Sequence, residues 1–205
     1  MHCDPEDILE FWFGDAARDP SKASARSRLW FSPSQEVDAE ILERFTSTVE
    51  AAARGELDDW LEAPSSTLAL VLLLDQFPRN IWRGSAKAFA HDGKALRAAR
   101  DAVSKGHLAG LAPLEHWFLL MPFQHSEVLD DQRESLRLFS EIAETAPEAW
   151  RSILGRYLEY ARQHLELIAR FGRFPHRNRI LGRASTAEEE AYLAEGGATF
   201  GQEAR

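Results

Sequence analysis

Three short segments of this 205-residue chain carry the residue types from which a polar site is built. The first is Asp75, Gln76, Arg79, Asn80 and Arg83 in DQFPRNIWR. The second is His125 and Glu127 in PFQHSE. The third is Arg170, Arg173, His176, Arg177, Asn178 and Arg183 in RFGRFPHRNRILGR. A guanidinium donates two parallel hydrogen bonds with the geometry of a carboxylate or phosphate. Asparagine adds donors and an acceptor that orient a ligand. His125 suits a general base when a carboxylate, Glu127 or Asp75, orients its ring. Anion binding and acid–base chemistry are therefore the two activities these residues fit. A structural reading competes with both. Arginines near a helix C-terminus complement its dipole, and paired with Asp75, Glu127 or Glu166 they would lock parts of the fold together.

The positive charge is local. The chain holds 33 acidic against 24 basic residues, a net charge of -9, yet five of its arginines fall between positions 170 and 183. An acidic balance argues against nonspecific nucleic-acid binding, which needs a basic face. No metal is expected. None of the seven histidines pairs with another at helical i, i+4 spacing, and the single cysteine, Cys3, rules out a paired-cysteine motif. No cofactor is expected either, because the chain has no glycine-rich phosphate loop and no dinucleotide fingerprint. A nucleophile-elbow motif is also missing.

The elements that must position these residues read as helices. Asp4-Pro5 is a helix start. Ser32, Pro33 and Gln35 predict a helix toward Arg54, with Val37, Ile41, Leu42, Phe45 and Val49 at helical spacing and Gly55 as its stop. Ser65 or Ser66 is expected to cap TLALVLLLD, a segment apolar all round and so a central buried helix. Residues 86 to 105 read as one or two amphipathic helices. Pro113 is expected to open a short helix that meets Pro122. A stripe from Glu127 to Thr145 predicts the next helix, and Pro147 opens a long one closed by Gly172. Ser185 with Glu188 is expected to cap the last. The aromatic residues mostly read as core, although Trp30, Phe31 and Trp82 lie near turns and could line a groove. No segment has the alternation of a strand.

The chain repeats one device. LALVLLLDQFPRNIWRGS and LELIARFGRFPHRNRILGRAS are each an apolar helix, then Phe-Pro, one or two basic residues and Asn, then an Arg near a Gly. Phe77 and Phe174 lie 97 residues apart, which fits two related halves, about 1–106 and 107–205, of a single helical domain spanning 1–205. Each proline is expected to stop its helix and push the preceding Phe into an extended conformation.

DQFPRN, MPFQHSE and FGRFPHRN, with the early EFWFG and the late LGRAST, resemble the bacterial family known as domain of unknown function 924. The resemblance runs from Ile8 to about Leu193. It implies an all-α fold in which antiparallel helix pairs form a superhelix similar to tetratricopeptide repeats. It brings no activity with it.

The expected product is a cytoplasmic helical binding or scaffold protein. The N-terminus shows no basic-then-apolar leader, and the longest apolar runs are far too short to span a bilayer. The site expected is a basic polar groove made of Asp75, Arg79, Asn80, Arg83, His125, Glu127, Arg173, His176, Arg177, Asn178 and Arg183. In it Arg177 and Asn178 face Arg79 and Asn80. Its partner would be an anionic small molecule or an acidic peptide, not nucleic acid or membrane. The alternative is a hydrolase-like enzyme using His125 and Glu127 on an arginine-bound substrate. Shape separates the two: a long groove suits a peptide, and a closed pocket of a few hundred cubic ångströms suits a metabolite.

Overall fold

The computed structural model describes residues 3–201. Among them every regular element is helical: ten α-helices with short 3-10 turns between them and no strand. The helices are α1 (Pro5–Trp12), α2 (Pro20–Phe31), α3 (Gln35–Arg54), α4 (Pro64–Asp75), α5 (Phe77–Ile81), α6 (Asp92–Ser104), α7 (Pro113–His125), α8 (Leu129–Thr145), α9 (Glu148–Phe171) and α10 (Ala187–Ala194). None is long and apolar enough to cross a membrane.

Helix α4 is the hub. Every side chain from Leu68 to Leu74 is fully buried, because α4 packs against α1, α3, α6 and α7 at once. A helix with no polar face is stable only where neighbours cover it on all sides. Helices α7, α8 and α9 pack in succession beside it. One hydrophobic cluster runs through these layers from Ile8 to Ala161, with an aromatic knot of Phe11, Trp12, Phe45 and Phe77 inside it. A small second cluster, Leu167, Ile168 and Phe174, sits under the C-terminal residues.

The helix ends follow from local hydrogen bonding, and several differ from the sequence expectation. Asp4 caps α1 in a reciprocal box with Asp7. Gly55 and Gly172 end α3 and α9 in left-handed conformations, with φ of 86° and 70°, which glycine adopts without steric cost. The cap of α3 is Ser34, not Ser32, since the Ser34 hydroxyl is the one that accepts from Val37 N. Helix α4 starts at Pro64 after an extended Ala63, and Ser66 and Thr67 turn their hydroxyls back to the Trp60 carbonyl. Thr186 with Glu189, not Ser185 with Glu188, forms the box that starts α10. The Ser185 hydroxyl accepts from Asn178 instead. Helix α8 begins only at Leu129, and Val128 and Leu42 are exposed rather than core.

The two Phe-Pro segments place the site. Phe77-Pro78 does not break into an extended turn. Gln76 stays in the right-handed helical region and Phe77 starts α5 at once. The proline lacks an N–H, and the Arg79 guanidinium donates to the carbonyl of Asp75 at this junction. Phe174 is extended as expected, and Pro175–Arg177 follows as a single 3-10 turn. The two copies therefore share a sequence but not a backbone. Pro122 likewise does not end its helix. It sits inside α7, which continues to His125. A proline within a helix costs about 3 kcal/mol. Here every residue from Trp117 to His125 is buried, so packing offsets the cost, and the turn after the proline delivers Gln124 and His125 to the site.

Candidate functional site

Six pieces of chain converge on one partly enclosed cavity of about 250 Å³. The end of α2 supplies Trp30 and Phe31. The α4–α5 junction and the residues after it supply Gln76, Arg79, Asn80 and Arg83. Helix α7 supplies Trp117, Met121, Gln124 and His125, and α9 supplies Tyr157, Tyr160 and His164. The second Phe-Pro turn brings His176 and Arg177, and the C-terminal segment brings Phe200.

The centre of the polar wall is a histidine–aspartate pair. His125 Nδ1 lies 2.7 Å from Asp75 Oδ1. Asp75 is fully buried at the end of α4 and also accepts from the Gln76 amide. Burial alone would raise its carboxyl, but Arg79 and then His125 outweigh burial and hold it well below the usual carboxylate range. An ionised Asp75 requires the proton on His125 Nδ1. Burial in turn depresses the His125 imidazole, more than Asp75 raises it. The ring is therefore neutral at neutral pH, and Nε2 carries the free lone pair.

Two buried arginines flank this pair. Arg79 lies 3.4 Å from Asp75 and donates to Asp92 Oδ2 at 3.0 Å. Arg177 reaches the same Asp92 oxygen at 3.6 Å and donates to the His125 carbonyl at 3.1 Å. Its guanidinium is held between the rings of Phe89 and Phe174, at 4.7 and 4.4 Å from their centroids, a cation–π arrangement. Burial pushes Arg177 down to about 10, with Asp92 opposing and Arg79 adding to the effect.

Two more neutral histidines complete the wall. His164 Nδ1 donates to the Tyr160 carbonyl at 2.7 Å, so its Nε2 is the acceptor for Gln124 Nε2 at 3.4 Å. Burial holds His164 well below its ordinary value, and the Arg177 guanidinium adds to the effect. His176 is pushed down to about 3, first by burial and then by Arg177. Buried polar atoms almost always have partners. Three cavity-lining side chains nevertheless carry a buried atom without a protein partner: Gln124 Oε1, His176 Nδ1 and Arg177 Nε.

The structure thus divides the expected residues into two groups. Asp75, Arg79, Asn80, Arg83, His125, His176 and Arg177 come together at the cavity, with Asp75 behind His125. Asn80 and Arg83 are already engaged there, since both donate to Asp38, at 2.8 Å in each bond. Glu127, Arg173, Asn178 and Arg183 do not reach the cavity. Glu127 takes a two-pronged bond from Arg183, at 2.6 and 2.9 Å, and one from Phe174 N. Arg173 pairs in the same manner with the buried Glu189, which also accepts from Asn178. Arg183 Nε donates to Asn178. This knot ties the chain between α9 and α10 to the α7–α8 connection. Arg170 is on the surface with Glu188. Asn178 therefore does not face Asn80, and Glu127 is not the partner of His125, because carboxylates nearer in space complete both sets of bonds.

Sequence reasoning missed Asp92, Gln124, His164, Tyr157, Tyr160 and Phe200 as site residues. His164 had a legible signal: it falls in the buried stripe Tyr157, Ala161, His164, Ile168 of α9. Asp92 had none, being one acid among 33. Trp82 does not line the cavity, whereas Trp30 and Phe31 do. Among the described residues no group of three or more His, Cys, Asp or Glu side chains is arranged to hold a metal ion.

Fold and site together define an all-α protein whose cavity joins a histidine–aspartate pair to a buried, acid-bridged pair of arginines. The chain belongs to the family described as bacterial protein of unknown function (DUF924), which matches residues 8–197. It is similar to a solved structure titled as a protein of unknown function, ATU0120, from Agrobacterium tumefaciens. That likeness has a TM-score of 0.78 and 39% identity, and covers 94% of this chain and 97% of the other. No curated protein matches the chain.

Proposed function

We propose that the protein binds a small organic anion in this cavity and acts on it with His125 as general base. The carrying observation is the His125–Asp75 bond at the cavity wall. It fixes the tautomer, keeps the ring oriented, and leaves Nε2 able to take a proton from a water or a substrate hydroxyl. The imidazolium so formed would be stabilised by the Asp75 carboxylate, and the reaction class is hydrolase-like. Arg177 anchors the anion. Its positive charge is buried, its nearest carboxylate is at 3.6 Å, and its Nε–H is unpartnered. Arg79 is the weaker candidate, since Asp75 and Asp92 already compensate it. A cavity of this size suits a metabolite better than an acidic peptide, which would need an extended groove.

Binding and chemistry are tested separately. Phosphate or malonate is expected to raise the thermal midpoint of the wild type and not of Arg177→Ala. Arg177→Lys should respond weakly, because a point charge does not reproduce the guanidinium fork. Against a panel of carboxylic and phosphoric nitrophenyl esters, His125→Ala should lower any turnover by about 10²–10⁴ while keeping the anion response. An anion-independent midpoint in the wild type, with a large stability loss in Arg177→Ala, would leave the arginines a purely structural role.

A further inference from the structure

The cavity already holds an aromatic ring, and it belongs to the chain itself. Phe200 lies over the imidazole of His164 with ring centroids 3.6 Å apart and planes 22° from parallel. Its other ring neighbours, Phe174 and His176, are at 6.3 and 5.7 Å. The residue reaches this position with φ of 51°, and among the described residues it is the one non-glycine with positive φ. That region is sterically disfavoured for a bulky side chain, so the surroundings must compensate for it. The ring therefore sits where stacking on His164 is favourable, on a backbone conformation that is costly for a side chain of this size.

The walls fit a second planar group. Trp117 and Tyr157 contact each other at 5.2 Å, and Tyr157 contacts Phe31 at 5.4 Å, so the apolar side of the cavity is largely aromatic. His164 is held neutral and fixed by its bonds to Tyr160 and Gln124. A fixed neutral ring offers its face to a ligand ring as it does to Phe200.

We propose that the cavity-side face of His164, the face Phe200 covers, is an aromatic subsite, that the ligand is a small anion carrying a planar ring, and that Phe200 occupies that subsite as a displaceable plug. The proposal rests on the anion-binding reading for the charged end of the ligand and adds the ring end. A ring entering this subsite must displace Phe200. A ligand lacking a ring need not.

The experiment compares phenylphosphonate with methylphosphonate by calorimetric titration, on the wild type, Phe200→Ala and a chain ending at Ala198. The aromatic pair contributes on the order of a tenfold change in affinity. Both altered chains should bind phenylphosphonate about tenfold more tightly than the wild type, with methylphosphonate unchanged. His164→Leu should remove the preference for the phenyl compound. The chain ending at Ala198 guards against a folding defect in the single substitution, and a helical far-ultraviolet spectrum checks both. An unchanged phenyl-to-methyl ratio in both folded variants would overturn the proposal. If neither phosphonate binds any of the proteins, the anion reading has failed on its own. The neutral ring 2-phenylethanol then decides the subsite: tighter binding to Phe200→Ala supports it, and equal binding rejects it.

Discussion

His125 and Asp75, fifty residues apart in sequence, are joined by a 2.7 Å hydrogen bond at the wall of a cavity. One residue closes α7 and the other closes α4. Each helix end thus finds its polar partner on the other. The bond makes a direct prediction. Asp75→Asn removes a buried carboxylate that faces Arg79 and leaves positive charge without full compensation. The expected cost is ~3–5 kcal/mol in urea unfolding. If the folded variant is recovered, nitrogen NMR should show His125 no longer confined to the Nδ1–H tautomer. An unchanged tautomer would show that Asp75 does not set it.

Stability should fall as pH drops below the ordinary histidine range. Burial holds His125, His164 and His176 all below the ordinary histidine value, and it pushes His176 down to about 3. The unfolded chain binds a proton near 6.5 that the folded His176 refuses. The contribution is therefore complete above 6.5 and is lost progressively as pH falls toward 3. His176 adds a slope of about 1.4 kcal/mol per pH unit within that window. His176→Gln should flatten the profile between pH 6.5 and 4.5 by roughly that slope. Parallel profiles for the two proteins would contradict the buried, neutral His176.

The knot around Glu127 should behave as structure and not as site. Arg183→Ala leaves Glu127 with only the Phe174 N–H and frees Asn178 Oδ1. Both side chains of the pair are about a quarter exposed, so the cost should lie between surface and buried values, about 1–3 kcal/mol. The anion response of the thermal midpoint should survive. Its selective loss at unchanged stability would move Arg183 into the binding site.

Leu72 tests the hub. It is fully buried in α4, and Leu72→Ala is expected to cost ~2–5 kcal/mol from lost transfer energy and the cavity left behind. A change in urea midpoint equivalent to less than about 1 kcal/mol would mean that α4 is loosely packed.

Several features were decided locally and could be read from the chain alone. Caps, periodicity and the absence of strand patterns act within a few residues, so the all-α class, the buried Leu68–Leu74 segment and the glycine stops of α3 and α9 were legible. Where the local rule competed with packing, packing won. Pro122 stayed inside α7 and Phe77 stayed helical, because the surrounding side chains and the Arg79 contact outweighed the missing N–H.

The site itself divides along the same line. Residue type alone marked Arg79, His125 and Arg177 as capable of polar chemistry. It could not say which carboxylate each would meet. An arginine pairs with whichever acid lies within about 4 Å, a distance set by helix packing and blind to sequence separation. Asp75 took His125, Glu127 took Arg183, and Asp92 bridged Arg79 and Arg177. The same packing put His164 and Phe200 face to face. The local sequence thus set the helices and their chemical inventory, while tertiary structure chose the partners, because electrostatic and stacking contacts depend on proximity in space.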